Sequence, residues 1–442
     1  MTLTEGKISK KIILFALPIF LGNLFQQLYN VVDSLVVGNV LGKEALAAVS
    51  STGSLIFLIT GFINGIFVGA GVVISRYYGA KKEENLSIAV HTTIAFGLVA
   101  GILVTIIGMG FTPLFLRWMG TPDDVFINAV LYLRIYFAGG IAIVMYNTCM
   151  GIFQAVGDSK HPLYYLITAA TINVVLDILF VAVFDFGVGG AAIATVISQC
   201  VSAILGFVKL TKVHGVHKVY IRKISINFSM LKNLLKMGLP TGIQNSVIAF
   251  ANVIVQSNIN SFESDAMAGC GSYSKLEGFA FLPITSFSMA LTTFIGQNLG
   301  AKQYDRVKKG ARFGLFGGVF LAELVGITIY ILAPTLVGLF NSQPEVIKYG
   351  VMQGRTVSLF YFLLALSHCL SGILRGAGKT HIPMIVMLVS WCLIRISYIT
   401  IAVRLVPDIR VIFWAYPLTW FISSVVFLIY YKKANWLYSN VI

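Results

Sequence analysis

Apolar runs of about twenty residues follow one another along nearly the whole of this chain, and they leave few folds open. A run of that length crosses a hydrocarbon layer of roughly 30 Å as a helix. Lipid offers no partner to backbone N–H and C=O groups, so spans are helices or closed barrels, and the connections here are too short for barrel loops. Twelve spans are expected, near 12–37, 46–73, 88–112, 126–154, 162–184, 188–208, 232–259, 267–295, 311–333, 346–374, 382–404 and 409–431. Composition agrees. The chain is 57% hydrophobic and 11% charged, whereas soluble domains carry about 25% charged residues. The expected fold class is an all-α polytopic membrane protein. Soluble enzymes, nucleic-acid binders and secreted disulfide modules are excluded at this step. The first apolar run continues to about Gly38 without a small-residue cleavage site, so it reads as a retained span rather than a signal peptide.

The net charge of +15 has a membrane explanation. Cytoplasmic loops are enriched in Lys and Arg. With the N-terminus inside, the inner loops collect 23 cations and the outer ones, Lys43, Arg117, Lys348, Arg404 and Arg410, only 5. Both termini are therefore expected in the cytoplasm of a multi-pass protein of the cell membrane. Cys149, Cys200, Cys270, Cys369 and Cys392 lie in apolar segments without metal-ligand spacing and read as packing residues.

The chain repeats itself. At an offset of 221, Gly79, Ala80 and Lys81 match Gly300, Ala301 and Lys302, Pro113 matches Pro334, and Gly157 matches Gly378. At 222, Leu17, Pro18, Asn23 and Asn30 match Leu239, Pro240, Asn245 and Asn252. Six spans per half is an even number, so both halves enter the membrane in the same sense. That is a parallel pseudo-two-fold repeat about the membrane normal, an arrangement common in transporters. The expected organisation is a six-helix lobe over 1–208, a cytoplasmic linker over 209–231 and a second six-helix lobe over 232–442. Pro18 and Pro240 should kink spans 1 and 7 and are hinge candidates.

Ionisable residues inside spans mark ion or substrate paths. Asp33 and Asp177 each lie roughly 8 to 10 Å from the outer end of a span, at 1.5 Å per residue. Asn173 shares a helix face with Asp177, and Thr195 lies at a similar depth in span 6. Asp33, Asn173, Asp177 and Thr195 therefore form a candidate all-oxygen site. Hard cations such as Na⁺ take such ligands. Two carboxylates gathered out of water need a counter-charge, and H⁺ serves as well. The repeat mates of Asp33, Asn173 and Asp177 are apolar or aromatic, Ile254 or Val255, Ile394 and Tyr398, which confines the site to the first half. Gln26, Tyr29 and Asn30, on the face of Asp33, are substrate-cavity candidates, and so is Glu277 in span 8. Glu323 and Arg395 are expected to pair, and His368 reads as a packing residue.

Two six-helix halves, the opening ALPIFLGNLFQQLYNVVDSLVVGNVLG, and the stretches NVVLDILF and FGVGGAAIATVISQ resemble the multidrug and toxic compound extrusion (MATE) family, over about residues 8–431. The resemblance implies a cation-coupled exporter of two lobes, with Asp33, Asn173, Asp177 and Thr195 at its N-lobe cation site. Some members carry a further acid on span 7, eight residues after its proline. Ile248 stands there, which argues against a second ion site at that position. The expected function is secondary antiport. Amphipathic, cationic drug-like compounds leave in exchange for H⁺ or Na⁺, by alternating access, through a cofactor-free monomer in the bilayer that binds no nucleic acid. The rival reading is a flippase for lipid-linked saccharides or a polysaccharide exporter. The acidic first half disfavours it, because such cavities use cations to hold phosphate. No enzyme motif appears.

Overall fold

The computed structural model describes residues 2–262 and 264–438, except for the side chains at 34, 35, 39, 43, 44, 46, 47, 50 and 51; that of Lys43, one of the expected outer cations, thus lies outside the described residues. Within them, eleven helices are long and apolar enough to cross a membrane, and the total is twelve when one bent pair is counted as a single span. The helices are α1 (Ile8–Leu41), α2 (Lys43–Gly79), α3 (Glu83–Trp118), α4 (Asp123–Ala138), α5 (Gly140–Ala155), α6 (Lys160–Asp177), α7 (Gly187–Lys212) and α8 (Phe228–Ile259). The second half continues with α9 (Ser264–Gly300), α10 (Tyr304–Gly338), α11 (Pro344–Val357), α12 (Tyr361–Gly376), α13 (His381–Met387), α14 (Arg395–Leu405) and α15 (Arg410–Lys433).

The fourth span departs from the straight helix expected over 126–154. It breaks between α4 and α5 with a bend of 52°. Gly139 and Gly140 sit at the break. A Cβ on Gly139 would fall 2.7 Å from Val196 Cγ1, and one on Gly140 would fall 2.7 Å from Thr105 Oγ1. Two adjacent glycines weaken the helix and let α7 and α3 close on the same point.

The repeat extends to backbone conformation. Lys81 and Lys302 both adopt positive φ, 53° and 56°, although side chains rarely do so. Each ends a matched helix by the same device, with Lys81 N–H donating to Tyr78 O and Lys302 N–H to Leu299 O. Gly157 and Gly378 match likewise, at φ 84° and 73°. The fifth span of each half contains a π-helical turn, Ile178–Val183 after α6 and Leu388–Ile394 between α13 and α14. Such turns are frequent at functional sites.

Contacts divide the chain into two compact units whose edges interleave in sequence, whereas the sequence alone draws continuous blocks at 1–208 and 232–442. One unit holds Leu21–Leu239, and the other holds Leu3–Phe20 with Pro240–Ile442. The physical reasons are local. Leu3 is fully buried in the second unit, where its N–H donates to Gln297 Oε1 at 3.1 Å and Arg306 donates to its carbonyl. Segment 209–231, expected as a solvated connector, is fastened to the first unit. Val219 is 2% exposed, Tyr220 N–H donates to His91 Nε2 at 2.9 Å, and Asn227 N–H donates to Thr92 Oγ1 at 3.3 Å. α1 and α8 run as unbroken helices through Pro18 and Pro240. The division between units falls within two residues of each proline.

Small residues set the packing distances inside the first unit, as they do in membrane helices generally. A Cβ on Gly108 of α3 would lie 2.3 Å from the Phe137 ring, and one on Gly69 of α2 would lie 2.4 Å from Gly238 Cα of α8. In the second unit, Gly310 and Gly314 of α10 receive Phe294 and Leu291 of α9 in the same way.

Candidate functional site

The four residues singled out in the first half meet. Asp33 comes from α1, Asn173 and Asp177 from α6, and Thr195 from α7. Asn173 and Asp177 are buried, at 1% and 0% exposure, and Thr195 is nearly so. The Asn173 amide bridges the group. In the orientation that satisfies both neighbours, its nitrogen donates to Asp177 Oδ2 at 3.1 Å and its oxygen accepts from the Thr195 N–H at 3.3 Å. The Thr195 hydroxyl donates back along its own helix to Ala191 O at 3.0 Å. The carboxyl groups of Asp33 and Asp177 lie within hydrogen-bonding reach of each other. Each keeps one buried oxygen, Oδ1 in both cases, without a protein partner.

Local sequence explains the arrangement. Asn173 and Asp177 are one helical turn apart and so share a face. Asp177 is the last residue before the π-helical turn at Ile178, where a helix widens and a side chain is re-aimed. α7 brings Thr195 alongside through a run of small residues, Gly189, Gly190, Ala191, Ala192 and Ala194, all buried.

Of the substrate-cavity candidates, Tyr29 adjoins both carboxylates and hydrogen-bonds the Gln26 side chain. Asn30, the next residue on α1, is exposed. Glu277 lies in the second unit and belongs to a different group of residues. Three tyrosines that the sequence reading passed over surround the first site. Tyr132 of α4 is buried beside Asp33 and Asp177, while Tyr136 and Tyr146 lie near Tyr29. Tyr132 and Tyr136 stand four apart with their rings stacked at 6.4 Å, so the signal was a polar pair on one face of span 4.

Glu277 of α9 faces Arg395, Tyr273, Tyr361 and Tyr416. Arg395 does not pair with Glu323, contrary to expectation. It is 1% exposed, donates through Nε and Nη2 to Thr419 Oγ1 at 3.2 and 2.8 Å, and lies over the rings of Trp391 and Tyr416. Glu323 instead accepts the Phe362 N–H at 3.1 Å. Aromatic faces and a hydroxyl thus hold the guanidinium where an acid was expected, which suits its planar, weakly hydrated charge. His368 packs edge-on against Phe281 and Trp391.

Taken together, the duplicated six-span halves and a buried acidic cluster define a polytopic membrane transporter. The MatE family model matches the chain twice, over residues 18–179 and 240–401, one match in each half. The chain belongs to this family of multidrug and toxic compound extrusion transporters. It is 32% identical to the probable multidrug resistance protein YoeA of Bacillus subtilis, over 84% of this chain and 82% of that one. It is 28% identical to the probable multidrug resistance protein YpnP of the same organism, over 98% and 97% of the two chains. Among solved structures, an outward-facing multidrug resistance MATE transporter of the MOP superfamily shares the fold with a TM-score of 0.91, at 24% identity over 98% of each chain.

Proposed function

We propose that the protein is a secondary antiporter that exports amphipathic, cationic organic compounds in exchange for H⁺ or Na⁺. The observation that carries this reading is the pair of neighbouring carboxyl groups, Asp33 and Asp177, each with a buried oxygen that no protein group satisfies. Two carboxyl groups hydrogen-bond only if one of them is protonated. Two desolvated carboxylates side by side otherwise need a cation between them. Asn173 and Thr195 hold Asp177 in place through the amide bridge, so the site is ordered for an ion rather than collapsed.

Coupling then works by differential affinity. The ion biases the transporter only as far as it binds one conformation better than another. Alternating access is the cycle, with the two compact units as the bodies that move and the stretches around Pro18 and Pro240 as the places where α1 and α8 flex. Gln26 and Tyr29 line the substrate path next to the coupling site. Both termini and the basic loops face the cytoplasm, and the working unit is a monomer.

The test is efflux of a fluorescent lipophilic cation from loaded proteoliposomes, with a pH gradient and a Na⁺ gradient imposed separately. Efflux driven by one gradient, and lost in Asp33→Asn and in Asp177→Asn although both fold, is the expected result and names the ion. Undiminished efflux in both variants refutes the site. Dye that moves under neither gradient favours the flippase reading, and lipid-linked saccharides become the next substrates to assay.

A further inference from the structure

The segment between α7 and α8 carries an arrangement that ion coupling does not use. From Lys209 to Lys236 there are seven cations, Lys209, Lys212, Lys218, Arg222, Lys223, Lys232 and Lys236, and the sequence has no acid between Asp185 and Glu263. Interleaved with them are apolar side chains turned outward. Val216, Tyr220, Ile221 and Phe228 are all exposed, Ile221 by 68% and Phe228 by 81%. None of Lys212, Lys218, Arg222 and Lys223 makes an ion pair among the described residues.

A loose basic loop would place these groups at random, but this one is built. Val219 is buried, and its N–H donates to Leu210 O at 2.9 Å. His91 of α3 takes the next residue. Its Nδ1–H donates to Ser87 O at 2.7 Å, which leaves Nε2 to accept the Tyr220 N–H at 2.9 Å. The Tyr220 ring stacks on the His91 ring, 11° from parallel, and Lys218 and Lys223 lie over Tyr220 at 5.3 and 5.2 Å. A short 3₁₀ turn, Ile221–Lys223, then presents Ile221 beside Arg222 and Lys223. The segment is bracketed by the ends of two membrane-spanning helices, at Lys212 and Phe228. It therefore sits at headgroup level, where apolar tips enter the acyl boundary and cations meet phosphate.

We infer that segment 212–228 is a preorganised docking surface for the headgroups of anionic phospholipids, with Ile221 and Phe228 as apolar anchors and Lys212, Lys218, Arg222 and Lys223 as phosphate contacts. A soluble anion would be drawn by the cations but has no use for Ile221 and Phe228. A protein partner would bury those residues in a pocket of its own, away from the bilayer that the helix ends already fix beside them. The inference does not depend on the identity of the coupling ion, nor on transport.

The experiment is amide hydrogen exchange of the full-length protein in lipid nanodiscs. One preparation holds phosphatidylcholine alone, and the other holds phosphatidylcholine with phosphatidylglycerol. The expected result is slower exchange over 213–227 in the anionic discs, reversed by high salt and absent in the triple variant K218Q/R222Q/K223Q. Each cation near an anionic surface is worth about a fivefold change in affinity, so removing three weakens docking on the order of a hundredfold. These side chains are on the surface, and equal melting of variant and wild type in neutral discs confirms that the variant folds. A second variant, I221S, should diminish the slowing while keeping every charge. Identical exchange in the two lipids overturns the proposal. So does slowing that the triple variant retains, or slowing that glycerol phosphate in solution reproduces in neutral discs.

Discussion

Asn173→Ala offers the sharpest test of the proposed coupling site, because it leaves both carboxylates in place and removes the group that aligns them. In the native arrangement the Asn173 amide donates to Asp177 Oδ2 at 3.1 Å and accepts from the Thr195 N–H at 3.3 Å. Alanine removes the donor and opens a void at a position that is 1% exposed. Oδ2 then joins Oδ1, which already lacks a protein partner. A hydrogen bond to a charged group is worth about 1.5–3 kcal/mol. At about 1.4 kcal/mol per factor of ten, the half-saturating ion activity should move by about 10- to 150-fold. If the ion is Na⁺ the movement is upward, because the carboxylate must be reordered before it can coordinate. The assay is dye efflux from proteoliposomes across a series of Na⁺ concentrations or pH values, with melting temperature measured alongside. A half-saturating activity within about twofold of wild type in a folded variant is no larger than the noise between independent sites. That result would refute the claim that Asn173 organises the site.

Gly69→Ala forces a Cβ to within 2.4 Å of Gly238 Cα and Met237 O, backbone atoms that cannot swing away; it should cost about 1–3 kcal/mol or more and lower the melting temperature. Gly53→Ala in the same helix, with nothing within 4 Å, should not do so, and equal melting of the two variants would contradict the close crossing. Arg395→Lys replaces a planar fork that Thr419 and two aromatic faces hold; thermal denaturation should show a larger loss than Thr419→Val, and an unchanged midpoint would contradict it. His217, in the segment after α7, is held below its ordinary value near 6.5 by burial, which outweighs the opposing pull of Asp158. The folded segment thus binds fewer protons than the unfolded one. Its protection against amide exchange, corrected for intrinsic rate, should be full above about pH 6.5 and fall as the pH drops through the folded value; protection that is flat with pH would refute this.

Much of this molecule was legible in the sequence because membrane constraints are severe. The spans follow from length and hydropathy, and the repeat from glycines, prolines and a Gly-Ala-Lys turn whose lysine takes positive φ in both halves. The acidic site was legible because a carboxylate inside a span has few reasons to be there, and Asn173 and Asp177 sit one turn apart on any helix. What the sequence concealed depends on packing. The break at Gly139 requires knowing that α3 and α7 converge on one point. The partner of Arg395 is a threonine and two rings rather than Glu323, and charge counting does not weigh aromatic faces. Tyr132 carried only the weak signal of sharing a helix face with Tyr136, because an aromatic residue in a membrane helix is most often a packing residue. The fastening of segment 209–231 runs through His91, over a hundred residues away in sequence, which no local pattern reveals.

The two halves differ in what lies beside a shared interruption, and the difference bears on the proposal of one ion site rather than two. In each half the fifth span is interrupted by a π-helical turn with a buried ionisable residue at its edge. Asp177 comes just before one turn, and Arg395 just after the other. A π turn widens the helix and re-aims the side chains beside it, which gives either residue access to the interior of its unit. In the first unit that interior holds a second acid, an amide and a hydroxyl, all oxygen donors suited to a hard cation. In the second it holds a fixed guanidinium, and Glu277 lies in that positive field. A cation entering there would meet Arg395 at close range in a medium of low dielectric, where like charges repel strongly. Duplication preserved the helix ends, the tight turns and the π interruptions; on the proposed reading, the buried guanidinium of Arg395 keeps a cation out of the second half. Removing that charge is the corresponding prediction. Arg395→Met, which keeps volume and removes the charge, should leave ion-coupled efflux through Asp33 and Asp177 intact. Loss of coupling in a folded Arg395→Met protein would show that the second unit contributes to the ion site after all.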